Sequence, residues 1–238
     1  MSRKKERLYL FEYNFISINI FCFVLTALFI LITVGIYNLF DFNFVKGLSE
    51  FNDFNFFVFI LLMCGWLMLH ELIHGLSYVF HGAKSKNIKY GVVLEKSILY
   101  CKCGEYINKS NILWSVINPY IYIGIVTYFM SFAFGSVTLL FLSLLNISGA
   151  CADILMFFFF LKRDKKMKFK EIKDSSTFIL KTTEDLTDKK FFAVKRVKEL
   201  EEDIVEDKEK LITVTKISKW VIVILIILSI LSLIVSFL

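Results

Sequence analysis

His70-Glu71-Leu72-Ile73-His74-Gly75 sits inside an apolar run from about Phe54 to Gly82. The pattern is H-E-x-x-H. On a helix, residues four apart lie one turn above each other, so both imidazoles point at one ion. Glu71 stands about 100° round the helix from His70 and about 60° from His74, flanking the same face. Two imidazoles with a neighbouring carboxylate suit zinc, the imidazoles as ligands and the carboxylate as base toward water. Ionisable side chains in a membrane span are costly and mark a function. Satisfied histidines in a chance match are the rival reading, and it must explain why two of the chain's three histidines fall in this motif.

The composition places the motif in lipid. Of 238 residues 57% are hydrophobic, 27 are Phe and one is Pro, which no ordinary soluble domain resembles. A bilayer span takes about 20 apolar residues. Five segments meet that length, near Asn14 to Phe40, Phe54 to Gly82, Asn111 to Gly135, Ser136 to Leu161 and Trp220 to Leu238. The first is too long for a signal-peptide core and has no small-residue cleavage site after it, so it reads as a retained span. The expected fold class is an all-α polytopic membrane protein of about five transmembrane helices, with a small cytoplasmic β-hairpin and a short cytoplasmic α/β tail segment. Three regions follow: a membrane-embedded core over residues 1–161 with the hairpin at about 84–110, a cytoplasmic segment over 162–219, and a C-terminal anchor over 220–238.

Lysine and arginine set the orientation. Arg3, Lys4, Lys5 and Arg7 precede the first span, while the next loop has Lys46 against Asp41, Glu50 and Asp53. Lys84, Lys86, Lys89, Lys96, Lys102 and Lys109 follow the second span, and Lys162, Arg163, Lys165 and Lys166 follow the fourth. Basic and non-basic sides alternate, so the N-terminus, the second loop and the 162–219 segment are expected in the cytoplasm and the C-terminus outside. The net charge of +6 is this bias plus attraction to anionic lipid; it does not argue for nucleic acid. Cys22, Cys64, Cys101, Cys103 and Cys151 lie in spans or on the cytoplasmic side, where thiols stay reduced, so no disulfide framework is expected.

Residues 89–94 and 97–103 read as two strands with a turn around Glu95-Lys96. A strand edge beside a protease site binds extended substrate by strand addition; a surface hairpin without a partner is the plain alternative. His81 lies roughly 10 Å along the helix from His74, too far for the same ion. In the third span Pro119, after Asn118, frees a backbone carbonyl and kinks the helix. The fourth span carries Asp153 behind the small run Ser148-Gly149-Ala150-Cys151-Ala152, which permits close helix contact. His74 and Asp153 each stand eight residues before the cytoplasmic end of their spans, so both lie about 12 Å below that boundary. Asp153 is thereby the expected third ligand. Beyond Leu161, Met167 to Leu180 reads as a strand or two. The spacing of Val194, Val197, Leu200, Ile204 and Leu211 reads as an amphipathic helix over about 187–211.

With these residues in hand, HELIHG in one span, Asp153 in a later one and a cytoplasmic hairpin between them resemble the site-2 type of intramembrane metalloprotease. The chain is more similar still to a zincin peptidase family of small bacterial membrane proteins, over roughly Phe54 to Leu161, including Ile98 to Cys103 and Asn118-Pro119-Tyr120. The fourth span departs from the site-2 pattern, having no proline after Asn146 and Ile154 rather than glycine after Asp153. The resemblance implies zinc held by His70, His74 and Asp153, Glu71 as the catalytic base, and Asn118, Asn146 and Tyr100 as substrate-binding residues. It implies a zinc-dependent endopeptidase of the bacterial cell membrane that cleaves membrane-embedded or membrane-anchored peptides near the cytoplasmic side. A non-catalytic membrane binding protein would have no need of Glu71, and a metal transporter would show ligands along a path rather than one compact cluster.

Overall fold

In lipid a helix satisfies its own backbone, and the long apolar runs of this chain fold accordingly. The computed structural model describes residues 6–39, 56–93, 98–171, 177–187, 189–192, 194–200, 215–216, 224 and 227. Helix α1 covers Phe15–Leu39 and turns Ile16, Phe23 and Leu31 outward, as a lipid-facing helix does. Helix α2, Phe56–Phe80, carries the histidine motif. A short 3-10 turn at Ser85–Asn87 leads into β2 (Ile88–Val93) and β3 (Ile98–Cys103), the expected hairpin. Strand β4 (Ile107–Asn108) then feeds α3 (Lys109–Pro119), a π-helical stretch Tyr120–Val126 and α4 (Thr127–Phe134). Among the described residues, three helical paths are long and apolar enough to cross a bilayer: Phe15–Leu39, Val58–Phe80 and Lys109–Phe134. The expected fifth span, Trp220 to Leu238, lies outside the described residues save Ile224 and Ile227.

The fourth span differs from the single helix expected over Ser136 to Leu161. It is two helices, α5 (Val137–Gly149) and α6 (Cys151–Leu161), bent by 46° at Ala150. Adjacent serine and glycine are a recognised cause of such kinks, and Ser148-Gly149 stands at the break. The bend leaves backbone groups without helical partners. Helix α1 packs against the break: Cys22 donates to the Ser148 carbonyl at 3.2 Å, and the Thr26 and Ser148 hydroxyls pair at 2.7 Å. The break also puts Asp153 in the first turn of α6, where the helix dipole favours a carboxylate.

The fold class also needs correction, because the strands amount to much more than a hairpin. Strands β1 (Arg7–Tyr13), β5 (Lys168–Glu171), β6 (Thr177–Thr182) and β7 (Val194–Leu200) join β4 in a five-stranded sheet of order β4-β5-β6-β1-β7. All of its pairings are antiparallel. A second sheet runs β3-β2-β8, with β8 at Thr215–Lys216. The chain is thus mostly helical with two small sheets rather than all-α, and the larger sheet takes strands from both sides of Leu161. One face of it supplies Tyr9, Phe11, Phe169 and Phe178 to a core shared with Phe159 and Phe160 of α6. Phe11 stacks on Phe178 at 4.9 Å and meets Phe159 edge-on at 5.3 Å, favourable aromatic geometries both.

Residues 194–200 form β7, not the amphipathic helix expected over 187–211; residues 201–211 lie outside the described set. Pairing with β1 shifts register between Glu12 and Tyr13: Phe11 faces Val197, but Tyr13 faces Val194. A bulge of one residue turns a separation of three into the same sheet face. Leu200 packs on the other face with Leu8 and Ile179. A bulge and a two-sided strand together imitate helical spacing.

Removing Phe11, fully buried at 0% exposure, should destabilise the protein far more than removing Phe23, exposed at 76%. Phe11→Ala should cost about 3–5 kcal/mol and lower the thermal midpoint in detergent, whereas Phe23→Ala should leave it nearly unmoved.

Candidate metal centre

Helix α2 sets His70 and His74 one turn apart, ring centroids 4.8 Å from each other, and both are buried. Each ring has one nitrogen committed. His70 Nδ1 lies 2.8 Å from Asn146 Oδ1, and His74 Nδ1 lies 2.7 Å from the Ser115 carbonyl oxygen. Both partners are acceptors, so each Nδ1 donates and, in the neutral ring, each Nε2 presents a lone pair. Those two lone pairs face each other at 3.1 Å. Asp153 Oδ2 stands 3.2 Å from His70 Nε2 and 3.5 Å from His74 Nε2. Three electron-rich atoms this close repel one another unless a cation lies among them. Ligand atoms of a tetrahedral zinc site with bonds of about 2.0–2.1 Å stand about 3.3–3.4 Å apart, and the distances here, 3.1–3.5 Å, bracket that spacing. His70, His74 and Asp153 could hold a metal ion.

The supporting groups trace to the chain's single proline. Pro119 has no N–H, so the carbonyl of Ser115, four residues earlier, has no ordinary helical donor. His74 supplies the donor. The Pro119 carbonyl accepts from Asn146 Nδ2 at 3.2 Å, which orients the amide so that Oδ1 faces His70. The proline of the third span thus stands behind the second interaction of both imidazoles, directly for His74 and through Asn146 for His70. Such outer partners fix the tautomer and raise ligand basicity.

Glu71 is held from the other side. The Cys101 backbone N–H, on the outer edge of β3, donates to its carboxylate. That contact needs the hairpin to lie close against α2, and Gly75 permits it. A Cβ there would run into the Tyr90 hydroxyl and stand 3.1 Å from Cys101 Sγ. The glycine after the second histidine is therefore a docking point for the hairpin. Tyr100 of β3 lines the resulting cavity of about 320 Å³ together with His70, Glu71, His74 and Asp153.

The remaining expected residues fall as follows. Asn146 is buried and hydrogen-bonded to His70 and Pro119, and Asn118 donates to Ser77 Oγ at 2.8 Å. Neither lines the cavity, whereas Tyr100 does. His81 Nδ1 bonds the Ser77 carbonyl at 2.7 Å and its ring lies parallel to Trp114, away from the cluster. Cys101, Cys103 and Cys151 are free thiols outside the ligand set. Among the charged residues of the cavity, Lys102 and Glu171 are not expected from the sequence. Burial pushes the Glu171 carboxyl up against the pull of Lys102. A period of two from Phe169 was the available signal for Glu171, since that spacing puts it on the core face of β5.

Residues 63–168 match the family described as "Putative zincin peptidase", in agreement with the resemblance read from the sequence. The matched segment contains His70, Glu71, His74, the hairpin, Pro119 and Asp153. No curated protein and no solved structure matches the chain.

Loss of an outer-shell partner typically lowers metal affinity 10–100-fold. Asn146→Ala and Pro119→Ala should each weaken zinc binding by about that range, read by competition with a chromogenic chelator, though neither removes a ligand atom. Unchanged affinity in both variants would separate the proline from the metal centre.

Proposed function

We propose that this chain is a zinc-dependent endopeptidase of the site-2 type, acting on membrane-embedded or membrane-anchored peptides near the cytoplasmic face of a bacterial cell membrane. The observation that carries the reading is the convergence of two imidazole lone pairs and the Asp153 carboxylate, 3.1–3.5 Å apart, with Glu71 on the same cavity. Bound zinc would supply a Lewis acid and lower the pKa of water. The protein's own groups do the rest. Glu71 takes a proton from the attacking water and returns it to the nitrogen of the leaving amine. The Cys101 N–H holds Glu71 in place without being consumed. Asn146 and Ser115 hold the imidazoles, so Asn146 acts here as a positioning residue, and Asn118 braces α3 against α2. Tyr100 faces the substrate.

Strand β3 lies at the edge of its sheet, and the Cys101 N–H on that edge points at Glu71. An extended substrate added along this edge runs past the base, which agrees with how proteases bind their chains. A substrate helix must unwind to do so.

Topology fits the same reading. The segment before α1, the end of the hairpin loop and the segment after α6 all contribute to the five-stranded sheet. They are also the segments richest in Lys and Arg, so all three lie in the cytoplasm with the N-terminus. A last span over Trp220 to Leu238 would be the fifth and would carry the C-terminus outside.

Glu71→Gln should abolish peptide turnover by at least 10²–10⁴-fold, the loss expected of a general base, while zinc stays near one per chain. A chelator should inactivate the wild type, with activity restored by added zinc. Appreciable turnover by Glu71→Gln would sink the assignment, and membrane proteomes comparing the two proteins would name the substrates.

A further inference from the structure

Glu171 lies beyond the family match, on the strand that the cytoplasmic sheet turns toward the helices. Its neighbour on that face, two residues back, is Phe169, fully buried in the aromatic core. Where alternation calls for another apolar side chain, the strand supplies a carboxylate. It opens on the same cavity as His70, Glu71, His74 and Asp153. Its Oε2 is buried and has no hydrogen-bond partner among the described residues. Burying a carboxylate oxygen unpaired is expensive, so such an atom calls for an explanation.

The surroundings name the kind of group it would take. Tyr13 and Tyr78 line the cavity with Glu171 and interact with its charge. Lys102 attracts it from β3, with its ammonium also 4.5 Å over the Tyr100 ring. A carboxylate has about four acceptor sites, so one lysine does not exhaust it. With a divalent ion on the ligand set, the carboxylates of Glu71, Asp153 and Glu171 balance that ion and Lys102. An incoming ammonium then meets a carboxylate with an unpaired oxygen, and aromatic rings, both favourable to a cation. An incoming carboxylate meets three of its own sign.

We infer that Glu171 forms a specificity subsite for a positively charged amine on the substrate, next to the scissile bond, with Tyr13 and Tyr78 as its flanking walls. The inference rests on the peptidase reading above and adds the substrate's charge. The amine is either a lysine-like side chain or the free N-terminus of a short peptide. Both present the same ammonium.

Binding, rather than turnover, tests it. Hydroxamates that chelate zinc, carrying a lysyl, norleucyl or glutamyl side chain beside the chelating group, are titrated by calorimetry into the zinc-loaded full chain in detergent. Each is used with its α-amine free and acetylated. The lysyl or the free-amine compound should bind at least about tenfold tighter than acetyl-norleucyl, as expected of a charged hydrogen bond, and acetyl-glutamyl should bind weakest. Which of the two gains affinity identifies the source of the ammonium. Glu171→Gln should erase that gain and leave acetyl-norleucyl unchanged. Glu171→Asp, which keeps the charge, should retain part of it and guards against a folding defect in the first variant. Equal affinities for all compounds in the wild type, or a gain that survives Glu171→Gln, would overturn the subsite while leaving the metallopeptidase intact. Failure of every hydroxamate to bind would overturn both.

Discussion

A backbone carbonyl left without a donor inside the helical bundle is the feature on which the metal centre depends. Pro119 has no N–H to offer Ser115, and in hydrocarbon an unsatisfied carbonyl is costly. His74 fills the need at 2.7 Å and in doing so fixes its own tautomer. The carbonyl of Pro119 orients Asn146, and Asn146 fixes His70. A single residue with no side-chain chemistry of its own thereby sets the direction in which both imidazole lone pairs point. The third donor arrives through a second backbone irregularity. The break at Ala150 lets α6 begin just before Asp153 and turns that carboxylate toward the histidines. Helix α1 supports the break, Cys22 through the Ser148 carbonyl and Thr26 through the Ser148 hydroxyl.

The strands complete what the helices begin. The hairpin lies down on α2 because Gly75 offers no Cβ, and its outer edge presents the Cys101 N–H to Glu71. The five-stranded sheet packs Phe11, Phe169 and Phe178 against the end of α6. It thereby carries Tyr13 and Glu171 to the cavity from segments far apart in sequence. Glu71, the candidate metal ligands and the wall residues Tyr13, Tyr100 and Glu171 thus come from five elements, α2, α6, β1, β3 and β5. Each is held by a backbone feature: a proline, a helix break, a glycine contact, a strand edge and the alternation of a strand.

Much of this was legible in the residues. Apolar length and the distribution of Lys and Arg mark the helices, because lipid tolerates few alternatives to a continuous helix. Spacing of four on a helix brings His70 to His74, and counting residues to the ends of the two spans brings Asp153 to their depth, since helical rise is constant. The hairpin followed from its alternation. Val194 to Leu200 reads as a helix in sequence because a bulge and two-sided burial reproduce a helical spacing of apolar residues. Arg7 to Tyr13 carries no strand signal of its own, and only β6 and β7 on either side make it a strand.

Sequence by itself determined the first three helical paths, the identity of the two histidines and the glutamate, and the level at which Asp153 meets them. These depend on local period and on transfer into lipid, both properties of residues close together in the chain. Only the tertiary structure decided which group answers the carbonyl the proline releases, that Asn146 faces a histidine, and that Glu171 reaches the cavity. Those are contacts between groups from 27 to more than 75 residues apart, and hydrogen-bond partners at such separations leave no periodic trace in the chain.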